Sequence, residues 1–100
     1  MSSIEHALRL VLSTGRVHLG SKQTIREVKR GRAQLAILSN NCPEETREKV
    51  EALSKLSDTP IMNLDKDSID LGVMCGKHFP VSAIVINDTG DSKILELLED

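Results

Sequence analysis

Helical and strand-like patterns alternate along almost the whole of this 100-residue sequence. Two aliphatic runs predict strands: residues 34–39 form a continuous apolar run suited to a buried central strand, and residues 81–86 predict a further strand. Two shorter runs, residues 16–19 and 60–64, predict the remaining strands, and Pro60 favours a strand start or an edge position. A chain of this length is expected to form a single domain over residues 1–100.

The segments around these strands have helical spacing of apolar residues. Ser2 and Glu5 form a capping box ahead of the first helix, and Ser21 is predicted to cap the second. The third helix is predicted to carry Val50, Leu53 and Leu56, and the last ten residues also predict a helix. The order α-β-α-β-α-β-α-β-α predicts an α/β fold, namely a three-layer α-β-α sandwich around a four-stranded, largely parallel or mixed sheet.

Although the net charge is only −2, basic and acidic side chains are distributed unevenly along the chain. Residues 1–33 contain seven basic and two acidic side chains, whereas the remainder contains six basic and thirteen acidic ones. This distribution favours one face that meets a polyanion and another that faces water, although solvated faces can also differ by chance.

The N-terminus and the cysteines predict a cytoplasmic protein. The first residues lack the basic and apolar regions of a signal peptide, and no apolar run approaches the roughly 20 residues of a membrane span. Cys42 and Cys75 have no metal-binding spacing and are expected to be free thiols. The three histidines show no metal spacing either, so we expect neither a metal nor a cofactor.

Three short patterns could belong to enzymes, but each has a simpler interpretation. Residues 15–22 are similar to a phosphate-binding loop, yet the serine and lysine stand in reverse order and a strand pattern fills the interval. The Asp-Thr-Gly triplet at 88–90 occurs in small aspartic proteases, but a turn before a helix explains it here. Cys75 and His78 lack an orienting third group. No enzymatic activity is expected.

Three binding features are expected to lie together. Gly20 ends a strand directly before a helix whose N-terminal amides could hold a phosphate beside Lys22, although an ordinary turn would look the same. Asn40 and Asn41 follow the central strand at its carboxyl end, where open α/β sheets bind ligands, but paired asparagines are also common in turns. Phe79 lies in a loop. Its side chain could either pack over the core or stack on an unpaired base. If the surrounding strands run parallel, these features share one edge of the sheet.

Six blocks of residues together resemble a known family. In chain order they are 20–24 (GSKQT), 30–33 (RGRA), 39–43 (SNNCP), 70–72 (DLG), 75–77 (CGK) and 90–92 (GDS). With this order and spacing, the sequence is similar to the thirty-e family of archaeal and eukaryotic large-subunit ribosomal proteins, within the superfamily of kink-turn RNA-binding proteins. The resemblance covers nearly the whole chain.

The resemblance implies a structural ribosomal protein that binds a kink-turn, which is a helix–bulge–helix RNA with tandem sheared G·A pairs. Residues 20–23 would lie against the G·A pairs and the backbone, and Arg26 would reach phosphate. The asparagine pair would meet the bulge, and residues 79–81 would pack on its extruded nucleotide. The RNA-binding residues implied in this way are Gly20, Ser21, Lys22, Gln23, Arg26, Asn40, Asn41, Phe79, Pro80 and Val81.

The implied partners are ribosomal RNA and neighbouring ribosomal proteins, and the free protein is expected to be a monomer. Lys22 stands where other branches of the superfamily carry asparagine, which favours the ribosomal branch. Phe79-Pro80 differs from the arginine-containing loop of eukaryotic members and favours an archaeal source, while the acidic balance departs from the usual basic one. The alternatives are a component of a guide-RNA ribonucleoprotein and, in a different class, a small hydrolase.

Overall fold

The computed structural model describes residues 3–98, and this stretch forms four α-helices, four strands and a final 3₁₀ helix. In chain order these are α1 (Ser3–Thr14), β1 (Arg16–Leu19), α2 (Ser21–Lys29), β2 (Leu35–Leu38), α3 (Glu44–Ser57), β3 (Ile61–Asn63), α4 (Ser68–Met74), β4 (Ala83–Asp88) and the 3₁₀ helix (Ile94–Leu98). The predicted alternation is confirmed, but the last element is a 3₁₀ helix. Ser2, assigned to a capping box, lies outside the described residues.

The strands form one mixed sheet in the order β1-β4-β2-β3. β4 is antiparallel to both of its neighbours, whereas β3 is parallel to β2 and lies at the edge. Leu19 pairs with Ile84, and Leu38 pairs with Ala83. As a result, β1 and β2 run in the same direction, and both end where β4 begins.

Both faces of the sheet are covered, which accounts for the two aliphatic runs. Because successive side chains of a strand alternate between faces, each central strand supplies two separate cores. The core on the side of α1, α4 and the 3₁₀ helix receives Leu35, Ile37, Ile84 and Ile86. The core on the side of α2 and α3 receives Ala36, Leu38, Ala83 and Val85. The structure is the predicted three-layer α-β-α sandwich.

Leu56, one of the apolar residues expected on α3, is not part of the core. Its side chain is 86% exposed, and the buried residues of α3 are Val50 and Ser54. With 3.6 residues per turn, the position four residues after Val50 stays on the same helix face, whereas the position six residues after it rotates away. Leu56 is therefore an exposed apolar residue on the surface of α3.

The bounds of the fourth strand also differ from the prediction by two residues at each end. Val81 is buried, but its amide donates to the carbonyl of Ser68 at 2.9 Å, so it belongs to the loop packed on α4. The strand instead continues to Asp88, which pairs with Arg16 at the start of β1.

Candidate nucleic-acid interface

Three loops converge at one edge of the sheet, where β1 and β2 end and β4 begins. The amide of Gly20 donates to the carbonyl of Ala83 at 2.8 Å, and the amide of Ser39 donates to the carbonyl of Ser82 at 2.9 Å. These bonds join the β1–α2, β2–α3 and α4–β4 loops side by side. We call this region the loop edge. The three loops converge as expected, but the parallel arrangement assumed for their strands is wrong: the Phe79 loop reaches this edge because β4 is antiparallel to β1 and β2.

Gly20, rather than Ser21, is the N-cap of α2, so the predicted cap is wrong. Gly20 has φ 107° and ψ 154°, a conformation that residues with a Cβ rarely adopt. Its carbonyl accepts from the amide of Thr24 at 3.0 Å and from the Thr24 hydroxyl at 2.8 Å. No side chain caps the helix within the described residues. The amides of the first turn are therefore left for an outside acceptor.

The exposed face of α2 carries a cation that is held in place. The Arg26 guanidinium donates to the side-chain oxygen of Gln23, and its Nε lies 3.5 Å from a Glu27 carboxylate oxygen. The side chain of Arg26 is 48% exposed, whereas that of Glu27 is 5% exposed. Lys22 lies one turn before Arg26 and is exposed. The two cations therefore share one side of the helix, with Lys22 in its first turn and Arg26 in its last.

The two asparagines of the β2–α3 loop have different environments. The side-chain oxygen of Asn41 accepts from the amide of Ser68 at 2.8 Å and from the Ser39 hydroxyl at 3.0 Å. Its amide nitrogen donates to the Ser68 hydroxyl at 3.3 Å. Asn40 is exposed, and within residues 3–98 only its backbone amide is engaged, by the carbonyl of Lys66. Asn41 thus ties the loop to α4, whereas the side chain of Asn40 remains available.

Sequence reasoning missed Arg47, which supports the same loop from α3. Its guanidinium donates to the carbonyl of Ser39 at 2.8 Å and to the side-chain oxygen of Asn63. These bonds hold the end of β2 against the end of β3. The sequence gives no signal for this role, because Asn63 is brought to Arg47 only by the parallel pairing of the two strands.

Phe79 is exposed at the loop edge and does not plug the core. Its side chain is 57% exposed, and two α4 residues beside it, Ile69 and Val73, are 62% and 66% exposed. Together with Lys77, His78 and Pro80, they line a shallow hollow of about 360 Å³. Val81, the next residue, is only 2% exposed and packs in the core. The apolar surface of this loop therefore ends at Pro80, and we call it the Phe79 patch.

The loop that carries Phe79 lies against the backbone of α4 at a glycine. A Cβ on Gly72 would lie 2.2 Å from the carbonyl oxygen of Phe79, which is closer than real Cβ contacts. The carbonyl of Gly72 also accepts from the amide of Lys77 at 2.9 Å. Glycine at this position lets the loop approach the helix and fixes where Phe79 emerges.

The structure gives non-catalytic explanations for the three patterns that resemble enzyme motifs. The segment between Gly15 and Gly20 is β1, not a phosphate-binding loop. A carboxylate oxygen of Asp88 accepts from the amide of Gly90 at 2.9 Å, which makes the triplet a turn. Burial raises the pKa of Cys75 to about 11, with Lys77 opposing the shift, so its nucleophilic thiolate is scarce at neutral pH.

Both cysteines are free and buried. Across residues 3–98, no three His, Cys, Asp or Glu side chains come together as metal ligands would. Over the same residues, no helix is long and apolar enough to cross a membrane.

A family model and individual relatives all relate this chain to the same group of ribosomal proteins. The model of the ribosomal protein L7Ae/L30e/S12e/Gadd45 family matches residues 2–96. A large ribosomal subunit protein eL30 from Methanosphaera stadtmanae is 43% identical over 96 residues, which cover 96% of this chain and 98% of that protein. The eL30 protein of Methanothermobacter thermautotrophicus is 42% identical over 95 residues, covering 95% of this chain and 97% of the relative.

A third archaeal eL30 protein, from Methanocaldococcus jannaschii, is 43% identical over 96 residues, covering 96% of this chain and 87% of the relative. The resemblance stated from the sequence blocks is confirmed by these matches. This chain belongs to the ribosomal protein L7Ae/L30e/S12e/Gadd45 family.

Proposed function

We propose that this chain is a structural protein of the large ribosomal subunit in the cytoplasm, where it binds a kink-turn in ribosomal RNA. The observation that carries the proposal is the convergence at the loop edge of an uncapped cationic helix end, a free asparagine and an exposed apolar patch. A bent RNA with an extruded base offers a matching ligand for each of the three.

The N-terminal end of α2 is suited to the RNA backbone and the G·A pairs. The free amides of its first turn and the exposed Lys22 attract phosphate, and Arg26 adds a guanidinium whose direction is set by Gln23. Gly20 has no heavy atom within 4 Å of its Cβ position, so RNA can approach the backbone there. These contacts would fix the position and orientation of the RNA.

The bulge of the RNA would lie between the other two loops. The side chain of Asn40 can donate and accept hydrogen bonds to an unpaired base, and the Phe79 patch can stack on the extruded nucleotide. Ile69, Val73 and Phe79 are large apolar residues left together in water, which is typical of a surface that binds a partner. Specificity would come from RNA shape and splayed bases.

Two of the expected contact residues act through their neighbours in this proposal. Asn41 holds the loop that presents Asn40, because its side chain already bonds Ser39 and Ser68. Val81 anchors the Phe79 loop in the core, since it is almost fully buried. Either residue would then affect binding by positioning the surface.

The relatives also support the ribosomal assignment over the alternatives. They are named as large ribosomal subunit proteins, which agrees with the lack of enzymatic activity expected from the sequence. A role in a guide-RNA ribonucleoprotein would require the same kind of surface, so the bound RNA itself must separate the two. Contact with neighbouring ribosomal proteins remains part of the proposal.

The test is to identify the RNA that contacts the protein in cells. A tagged copy expressed in a methanogenic archaeon is cross-linked with ultraviolet light and sedimented through a gradient. We expect the protein in the large-subunit fraction, cross-linked to a single internal loop of ribosomal RNA. Recovery of guide RNA in a slower-sedimenting particle would instead favour the alternative, and recovery free of RNA would contradict both.

A further inference from the structure

A second basic surface lies away from the loop edge, where β1 begins and α2 ends. A hollow of about 910 Å³ opens there between the first sheet strand and the helix. Four arginines line it: Arg16, Arg26, Arg30 and Arg32. We call it the arginine hollow. Such a concentration is unexpected in a chain whose net charge is −2.

The hollow is positive overall, because four arginines stand against two carboxylates, Glu27 and Asp88. Glu27 is 4% exposed and accepts from the side-chain amide of Asn87 at 3.0 Å, and Asp88 accepts from the amide of Gly90. Within residues 3–98, the only ion pair at the hollow joins Arg26 and Glu27. The other three arginines are exposed and form no ion pair with a described carboxylate.

The backbone that carries two of these arginines is fixed. α2 ends in a left-handed glycine, Gly31, with φ 70°. The amide of Gly31 donates to the carbonyl of Val28 at 3.0 Å, and the amide of Arg32 donates to the carbonyl of Glu27 at 3.1 Å. This pair of bonds is the Schellman motif, and it places Arg30 and Arg32 on either side of a defined turn.

A polar network from the sheet holds the same turn. Asn87 on β4 accepts from His18 Nδ1 at 2.7 Å and donates to the carbonyl of Arg32 at 3.2 Å. Through these bonds, the end of α2 is tied to β1 and β4. The guanidinium groups are therefore carried on rigid elements while their donors face the hollow.

We propose that the arginine hollow binds the phosphodiester backbone of a helical arm that flanks the kink-turn held at the loop edge. Guanidinium groups recognise phosphate oxygens through paired hydrogen bonds, and several of them along an open hollow suit a strand rather than a single enclosed phosphate. The inference rests on the proposed function, since it assumes that RNA is already held at the other end of α2.

The geometry of α2 links the two surfaces. The helix has nine residues, so its ends lie roughly 13 Å apart. Arg26 stands between them, directed along the helix by Gln23 and Glu27. An RNA anchored at the loop edge would thus bring an adjoining helical arm alongside the hollow. The two arms of a bent RNA supply such a neighbouring backbone.

The test compares two RNAs and two double variants. One RNA is a minimal kink-turn with short arms, and the other has both arms lengthened by a helical turn. Arg30→Gln/Arg32→Gln removes two charges from the hollow while keeping the backbone bonds of the turn. Lys49→Gln/Lys55→Gln removes two charges from α3 as the matched control.

We expect the wild-type protein to bind the long RNA about tenfold more tightly than the minimal one, as two further phosphate contacts imply. The arginine variant should lose this difference, and its slope of log K against log salt on the long RNA should become shallower by about 1.8. Its affinity for the minimal RNA should be unchanged. The lysine control should resemble the wild type on both RNAs.

Equal affinity of the wild-type and arginine variants for the long RNA would overturn the inference while leaving the kink-turn proposal intact. Equal weakening on both RNAs would also overturn it, since that result indicates general attraction rather than a second site. Failure of the wild type to prefer any kink-turn would instead contradict the proposed function. In that event, the hollow is tested with an isolated RNA duplex that has the sequence of one arm. Equal affinity of the arginine variant and the lysine control for this duplex would overturn the inference about the hollow.

Discussion

Phe79→Ala is expected to weaken binding of a kink-turn RNA by about 10- to 100-fold, with little loss of stability. Stacking of a base on an aromatic ring contributes about 1–3 kcal/mol, and each 1.4 kcal/mol changes the dissociation constant about tenfold. Phe79 is 57% exposed, so its removal leaves the core intact. The dissociation constant is measured by titration, and the free energy of unfolding by urea denaturation.

Leu56→Ala is the matched control for this prediction. It also removes an exposed apolar side chain, 86% exposed, but on α3 rather than in the Phe79 patch. We expect its affinity to equal that of the wild type. If the Phe79 variant binds as tightly as this control does, the patch does not contact the RNA.

Gly72→Ala is expected to destabilise the protein by about 2–3 kcal/mol and to weaken RNA binding as well. The added Cβ would meet the carbonyl oxygen of Phe79 at 2.2 Å, and this atom is backbone, so the whole loop must shift. A shifted loop would misplace Phe79 relative to Asn40. Urea denaturation gives the first effect. Titration at a temperature where the variant is fully folded gives the second.

Gly31→Ala separates these effects from the general cost of replacing a glycine. Its Cβ would meet nothing within 4 Å, and only the left-handed backbone opposes it, at about 1–2 kcal/mol. We expect a small loss of stability and unchanged affinity for the minimal kink-turn. Wild-type stability and affinity in the Gly72 variant would show that the loop can move without consequence.

Much of the fold follows from local patterns in the sequence. The runs around Leu35 and Ile84 are aliphatic on both faces, which only strands between two helical layers require. Glycine is typical of helix ends, and the structure places Gly15 directly after α1 and Gly31 at the turn after α2. The ends of β1 and β2 predict a shared edge for two of the binding loops, whereas the Phe79 loop precedes β4 and reaches that edge only because β4 is antiparallel to both strands.

Other features depend on contacts between distant parts of the chain. The side chain of Asn41 is engaged by Ser68, 27 residues later, so its structural role could not be read from the asparagine pair. The arginine hollow depends on Arg16 being brought to the end of α2 by the sheet. The exposure of Phe79 depends on how closely the loop approaches Gly72. None of these three features could be predicted from the sequence alone.

The central claim is that the loop edge recognises the shape of a kink-turn. The most direct test is a titration, at one stated salt concentration, against a kink-turn RNA and the same RNA with its G·A pairs replaced by Watson–Crick pairs. We predict tight binding to the first RNA and loss of that binding on replacement. Equal affinity for both RNAs would contradict the account, because the basic part of the chain would then act only as a general contact for polyanions.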